Sequence, residues 1–222
     1  MRKQIFILLL GLLPMTAGAT VELDTIKTLN ESALAANPAV EELRLALYDL
    51  RLAEKNGRTP DRLEACLRIG RIYAREKYYS KAVKYFQQAE VLAQKLGDEP
   101  DLRSIQWQTA NALLNDGKFS SAHEAFAQLL VVHENAGRYE EQVRTLEKLA
   151  QTSIAISNFQ KAVDYYLKIK QLAERRNDPT TVATALNNLG FTANRQQDFK
   201  AAVDYFTQAE AIYQANPKLK TN

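Results

Sequence analysis

Apolar residues recur along most of the chain at the three- and four-residue spacing of a helix face, with polar residues filling the positions between. The stretch from 63 to 100, LEACLRIGRIYAREKYYSKAVKYFQQAEVLAQKLGDEP, reads as two helices joined by a short turn. Its small residues fall where two backbones must touch: Gly70 and Ala82 near the turn, and Ala89 further along the same face. Tyr73, Tyr79 and Phe86 are the large residues that fill the space left over. Upstream, Val21, Leu23, Ile26, Leu29, Ala33 and Leu34 form a weaker helical stripe, interrupted at Asn37-Pro38. Pro suits the first turn of the next helix, which carries Val40, Leu43, Leu47, Leu50 and Ala53 on one face and ends near Asn56-Gly57.

The pattern repeats. Gly57, Gly97 and Gly137 lie 40 residues apart, and Asn177, the next-best residue for a left-handed backbone, stands at the fourth mark. Ala82, Ala122, Ala162 and Ala202 keep that step, as do Tyr79, Phe119, Phe159 and Phe199, and again Phe86, Phe126, Tyr166 and Phe206. A two-helix unit recurring at a fixed period predicts a solenoid, in which each pair completes its core against its neighbours.

These residues carry a resemblance to the tetratricopeptide repeat, whose units show Leu-Gly, Tyr, Ala, Phe or Tyr, then Ala. The first repeat matches with Ile69-Gly70, Tyr73, Ala82, Phe86 and Ala89. The fourth matches with Leu189-Gly190, Ala202, Phe206 and Ala209, with Ala193 replacing the Tyr. The middle repeats are looser: Ala110 and Ala150 stand for the Gly, Leu113 and Ser153 for the Tyr, Leu129 and Ile169 for the last Ala. The bulky residue usual near the start of the first helix is Cys66, Gln106, Leu146 and Leu186. The step exceeds the family's usual length of about 34 residues and resembles the long-helix branch of kinesin light chains and bacterial peptide-sensing regulators. The resemblance implies an all-α, right-handed α-solenoid of four repeats (60–98, 99–138, 139–178, 179–216). An N-terminal helical cap or degenerate repeat at 20–59 precedes them, and a polar tail, 217–222, follows.

Composition adds the compartment. Hydrophobic residues at 46% and charged residues at 25% belong to a folded chain, and 8 Gly with 6 Pro among 222 residues favour helix. Residues 1–19 read as a signal peptide: Arg2 and Lys3, an apolar run from Ile5 to Leu13, Pro14, then small Ala17-Gly18-Ala19. The run is shorter than the roughly 20 residues a membrane span needs, so no stable span is expected after cleavage. Without Arg2 and Lys3, the only charges of that segment, the formal charge falls from +3 to +1. The basic pI of about 8.8 therefore gives no ground for nucleic-acid binding. Cys66 is the only cysteine, a thiol that cannot form an internal disulfide and whose spacing makes it a buried small residue. The expected location is exported, periplasmic or secreted, with a bacterial envelope favoured.

No constellation of catalytic residues emerges. His123 and His133 are ten residues apart, rotated off a common helix face, and read as surface histidines without ligand spacing. Glu140-Glu141 sits at a helix start, where the dipole favours acids. Neither a phosphate loop nor a nucleophile elbow is present. The expectation is a non-enzyme with no metal and no cofactor.

What the resemblance implies about a site is a concave groove lined by the first helix of each pair. Carried onto this chain, the first repeat contributes Arg68, Arg71 and Arg75, beside Glu64 and Leu67. The second gives Trp107, Asn111 and Asn115, with Gln108; the third gives Arg144, Lys148 and Gln151, with Glu147. The fourth gives Asn187, Asn188, Phe191, Asn194 and Arg195. Amides can hold a peptide backbone, Arg can grip a carboxylate through two hydrogen bonds, and Trp107 and Phe191 can serve as apolar anchors. Asn111 and Asn188 match peptide-clamping positions of the wider family, whereas Leu67 replaces the first Lys of its carboxylate clamp. A second candidate surface is Tyr78, Lys81, Lys84 and Tyr85, read as lying on the outside of the first repeat. The expected function is an exported adaptor that binds a protein or peptide segment, extended or bearing an acidic or C-terminal carboxylate. The alternative is a regulator whose superhelix changes pitch on capturing a peptide.

Overall fold

The computed structural model describes residues 38–216. The signal segment, the weak stripe of residues 21–34 and the polar tail lie outside the described residues. Within them the chain forms nine helices and no strand: α1 (Pro38–Lys55), α2 (Thr59–Arg75), α3 (Tyr79–Leu96), α4 (Glu99–Asn115), α5 (Phe119–Asn135), α6 (Tyr139–Ala155), α7 (Phe159–Arg175), α8 (Pro179–Arg195) and α9 (Phe199–Ala215). They fall into two compact units that divide after Gly117, α1–α4 in the first and α5–α9 in the second.

The first eight helices, α1 to α8, stop by the same device. A left-handed residue follows each, at Gly57, Lys77, Gly97, Gly117, Gly137, Ser157, Asn177 and Gln197, all with φ between 54° and 77°. The sequence marks five of these with Gly or Asn, whereas three of the four turns inside the repeats carry Lys77, Ser157 and Gln197, with Gly117 the exception. The next amide then reaches back five residues, as from Tyr78 N to Tyr73 O (2.8 Å) and from Asn158 N to Ser153 O (2.8 Å), closing a Schellman motif. At several starts a side chain caps the helix, Asp98, Asn158, Asp178 and Asp198 each accepting from an amide three residues on.

A side chain with a Cβ is strained in that left-handed conformation. Changing Lys77, Ser157 and Gln197 to Gly is therefore expected to stabilise the protein by about 0.5–1 kcal/mol per site. Thermal melts followed by circular dichroism should show the triple variant melting several degrees higher, at roughly 2–4 °C per kcal/mol for a chain of this size. An unchanged or lowered midpoint would show that the parent side chains contribute more than the strain costs.

The core follows the small-and-large alternation. In the first unit Ala82 and Ala89 are sealed and Phe86 is buried against Gly70, where an added Cβ would lie 2.5 Å from the ring. In the second, Ala122, Ala162, Phe126 and Tyr166 are buried in the same way. Two sequence expectations are corrected here. Lys81 and Tyr85 are not on an outer surface: both are buried, and Tyr78 and Lys84 are half-buried. The Lys81 ammonium lies 5.4 Å over the Tyr73 ring, whose electron-rich face accommodates a charge that would otherwise be costly to bury.

The histidines are not surface residues either. His133 is buried, and its carbonyl accepts from Gln142 Nε2 at 3.0 Å. His123 is half-buried, 3.0 Å from Thr152 Oγ1 through Nδ1 and 3.3 Å from the Tyr165 hydroxyl through Nε2. Thr152 donates its own proton to Leu149 O, so its oxygen receives the His123 Nδ1–H, leaving Nε2 to accept from Tyr165. Burial, with Lys161 nearby, holds the His123 pKa below its ordinary value and keeps this neutral tautomer in place.

Candidate functional site

In the first unit, the groove candidates of α2 and α4 form one stripe along each helix, and the burial pattern shows it. Leu67 and Trp107 are half-buried, Arg68 and Gln108 half-buried, Arg75 and Asn115 exposed. The partners of these residues change their chemistry. Arg68 reaches Asp49 of α1 at 2.7 Å and Arg75 reaches Glu42 of α1 at 2.6 Å, so two of the three guanidiniums are already paired within the protein. Such exposed pairs contribute at most about 1 kcal/mol each and can be exchanged for a ligand's carboxylate at small cost. Arg71 is different: among the described residues its guanidinium donates only to the amide oxygen of Gln108, from Nε at 3.2 Å, and meets no carboxylate that would compensate its charge. Asn111 spends its amide on the carbonyl of Trp107 at 2.8 Å, within its own helix. A hollow of about 220 Å³ opens between α1 and α2 beside this stripe, lined by Glu64, Arg68, Asp49 and Asp61 among others.

In the second unit the stripes of α6 and α8 are less internally satisfied. Arg144 stands 4.0 Å from Glu141, and Lys148 donates to Gln151 at 3.2 Å. Glu147 is half-buried, and that burial raises its carboxyl above the usual range. On α8, Asn187 touches the Tyr213 hydroxyl at 3.5 Å, while Asn194 and Arg195 are exposed. Phe191 is 62% exposed and meets Phe206 edge-on, ring centres 5.2 Å apart. Phe206 thus holds one edge of the Phe191 ring while most of the ring faces solvent, the arrangement of an apolar anchor awaiting cover. Asn188, half-buried one residue ahead of the Leu189-Gly190 pair, completes that face.

Among the described residues no group of three or more His, Cys, Asp or Glu side chains is arranged to hold a metal, and no helix is long and apolar enough to cross a membrane. Taken unit by unit, the helix faces offer hydrogen-bond donors, with Arg71 as an uncompensated cation in the first unit and Phe191 as an exposed aromatic in the second. That is equipment for holding a chain segment. The sequence reading missed residues on the other side of the first unit, where an open hollow of about 560 Å³ between α1, α2 and α3 is lined by Arg62, Cys66 and Lys84 among others. The signal was present, since Arg62 and Lys84 carry charges that their counterparts in the other repeats lack or reverse.

The helices, their uniform turns and these stripes define an all-α helical-repeat protein. Family models for the tetratricopeptide repeat match residues 63–95 and 141–215, so the chain carries tetratricopeptide repeats over those stretches. A search of curated proteins finds no match. Among solved structures, the chain is similar to a candidate kinesin light chain of Podosopora anserina with nearly identical TPR-like repeats. The TM-score is 0.66 at 16% identity, covering 90% of this chain and 89% of that one. BtubC (BKLC) from P. vanneervenii matches with a TM-score of 0.59 at 23% identity, over 80% and 74% of the two chains. The Rap conjugation gene regulator of plasmid pLS20, in complex with the Phr* peptide, matches with a TM-score of 0.58 at 10% identity. It covers 95% of this chain and 62% of that one. At these identities the likeness establishes the fold.

Proposed function

We propose that this protein is an exported, non-catalytic adaptor that binds a protein or peptide segment on the exposed stripes of its first helices. The observation that carries the reading is the regular placement of unsatisfied groups there: the uncompensated Arg71 in the first unit, and Phe191 with Asn188 in the second. A cation can grip an acidic or C-terminal carboxylate, amides can hold backbone, and an exposed ring can seat one apolar side chain. A similar fold holds a peptide, which supports a peptide-sized occupant. Export rests on Arg2-Lys3, the apolar run and Ala17-Gly18-Ala19.

The test is affinity capture from an envelope extract of the source organism, using the parent protein beside two paired variants, Arg71→Ala/Asn111→Ala and Asn188→Ala/Phe191→Ala. Each pair is expected to weaken retention of a captured partner by at least about ten-fold, with far-ultraviolet circular dichroism unchanged. Equal retention by parent and both variants would place binding elsewhere on the protein and end the groove reading. A second reading, a sensor that changes shape on binding a peptide, is favoured by the likeness to a regulator seen with its peptide. Compaction measured by small-angle scattering on addition of the captured segment would support that reading, and constant dimensions would exclude it.

A further inference from the structure

We propose that the open hollow between α1, α2 and α3 is a second binding site, for a small zwitterion of amino-acid or dipeptide size with an apolar side chain, its carboxylate seated on Arg62. This site is separate from the groove. Arg62 and Arg71 are nine residues apart on α2, which at 100° per residue puts them on opposite faces of the helix. At about 560 Å³ the cavity has the size of a small-ligand pocket.

The other repeats serve as the internal control. Cys66, itself only 2% exposed, forms part of the floor at a position where the third and fourth repeats carry the equally buried Leu146 and Leu186. A thiol is smaller than an isobutyl group, so the side chain at this position takes up less volume in the first repeat than in those two. Burial pushes the Cys66 thiol up to about 12, so it lines the cavity as a neutral surface and not as a nucleophile. The residue four before it is Arg62, against Leu102, Gln142 and Val182 in the other repeats. Lys84 is likewise set against Glu124, Asp164 and Asp204, so the sign of the charge reverses in the first repeat alone.

Two cations have therefore been placed where the repeat pattern elsewhere has neutral or acidic residues, and both line the same cavity. The Nε of Arg62 is buried and has no acceptor among the described residues. Lys84, beside the Tyr85 ring at 5.7 Å, and Lys95 add positive charge. Glu54 of α1 also lines the hollow. It accepts an ammonium and repels a second negative charge, which selects a zwitterion over a phosphate dianion. Leu50, Val91 and Leu92 supply the apolar wall, and Gln87 and Gln88 supply amides that can meet a peptide bond.

Calorimetric titration of the full-length protein with the dipeptide Leu-Leu, its C-terminal amide and phenyl phosphate tests the site. Leu-Leu is expected to bind, and its amide to bind at least about ten-fold more weakly because the carboxylate is gone. Arg62→Gln should cost a similar factor. Cys66→Leu, which restores the residue of the third and fourth repeats, should abolish binding while the melting temperature stays constant or rises. Arg71→Ala should leave Leu-Leu binding unchanged, so that failure of this site and failure of the groove reading are told apart. The proposal is overturned if Leu-Leu does not bind, or if Arg62→Gln or Cys66→Leu binds it as the parent does. It is also overturned if phenyl phosphate binds more tightly, or if Arg71→Ala removes binding.

Discussion

Gly70→Ala is expected to destabilise the protein by about 1–3 kcal/mol, although alanine is the better helix former by about 1 kcal/mol. The new methyl would lie 2.5 Å from Cε1 and 2.6 Å from Cδ1 of Phe86, closer than carbon atoms approach one another, and 3.1 Å from its Cζ. Phe86 cannot retreat: it is 2% exposed, and Ala82 and Ala89 on either side of it in α3 are completely sealed. Gly190 makes the control. Its Cβ would come as near to Phe206, at 2.6 Å, but that ring is half-buried and leans on the exposed Phe191. It can swing outward, so Gly190→Ala should cost far less and can come out neutral once the helix preference is counted. Urea unfolding of both single variants, with Phe86→Leu added to Gly70→Ala, measures the difference. The double variant should recover part of the loss through a coupling of at least about 1 kcal/mol. Equal shifts for Gly70→Ala and Gly190→Ala would show that backbone preference and not the ring contact governs both positions.

That contrast shows what a sequence of this kind makes legible. The all-α repeat architecture follows from burial that recurs at one step, because the alanine and aromatic at 82 and 86 are as buried as those at 122 and 126. Three of the four turns inside the repeats are hidden because Lys77, Ser157 and Gln197 adopt a left-handed backbone without the glycine that announces it at Gly117. Lys81, Tyr85 and His133 were misplaced for a related reason. A polar residue on the second helix of a pair reads as solvent-facing unless its neighbours offer a ring or a hydrogen-bond partner, and those neighbours come from other helices.

The candidate groove divides along the same line. Which residues stand on the exposed stripe follows from helical spacing alone, and Arg71, Gln151 and Phe191 at one shared position are all exposed. Which of them are already engaged depends on the register of α1, which brings Asp49 and Glu42 to Arg68 and Arg75. No period in the sequence specifies that register. The cavity beside Cys66 needs three helices to converge, yet its charges were visible as departures from the repeat. In a repeat protein the shared residues report the fold and the exceptions report the chemistry.

Tyr73→Ala should be the most damaging single substitution considered for the first unit, at about 3–5 kcal/mol. The side chain is completely buried, stacks on Tyr85 at 5.8 Å and 21°, and meets Tyr78 edge-on at 6.3 Å. It also supports Lys81, whose ammonium lies over its face while the residue is only 7% exposed. Removing the ring therefore opens a cavity and withdraws the electron-rich surface from a buried cation. Lys81→Met in the Tyr73→Ala background tests the second part, because a flexible apolar side chain can settle toward the space without carrying charge into it. The combined variant should be more stable than the sum of the two single losses predicts, by about 0.5–2 kcal/mol in urea unfolding. Additive losses would show that Lys81 is held by its other surroundings and draws nothing from Tyr73. The equivalent positions Leu113, Ser153 and Ala193 carry progressively less bulk or none of the aromatic surface. The aromatic cluster is thus particular to the repeat that also holds the cavity, and its rigidity fixes α3, from which Lys84, Gln88 and Leu92 face the cavity beside Cys66.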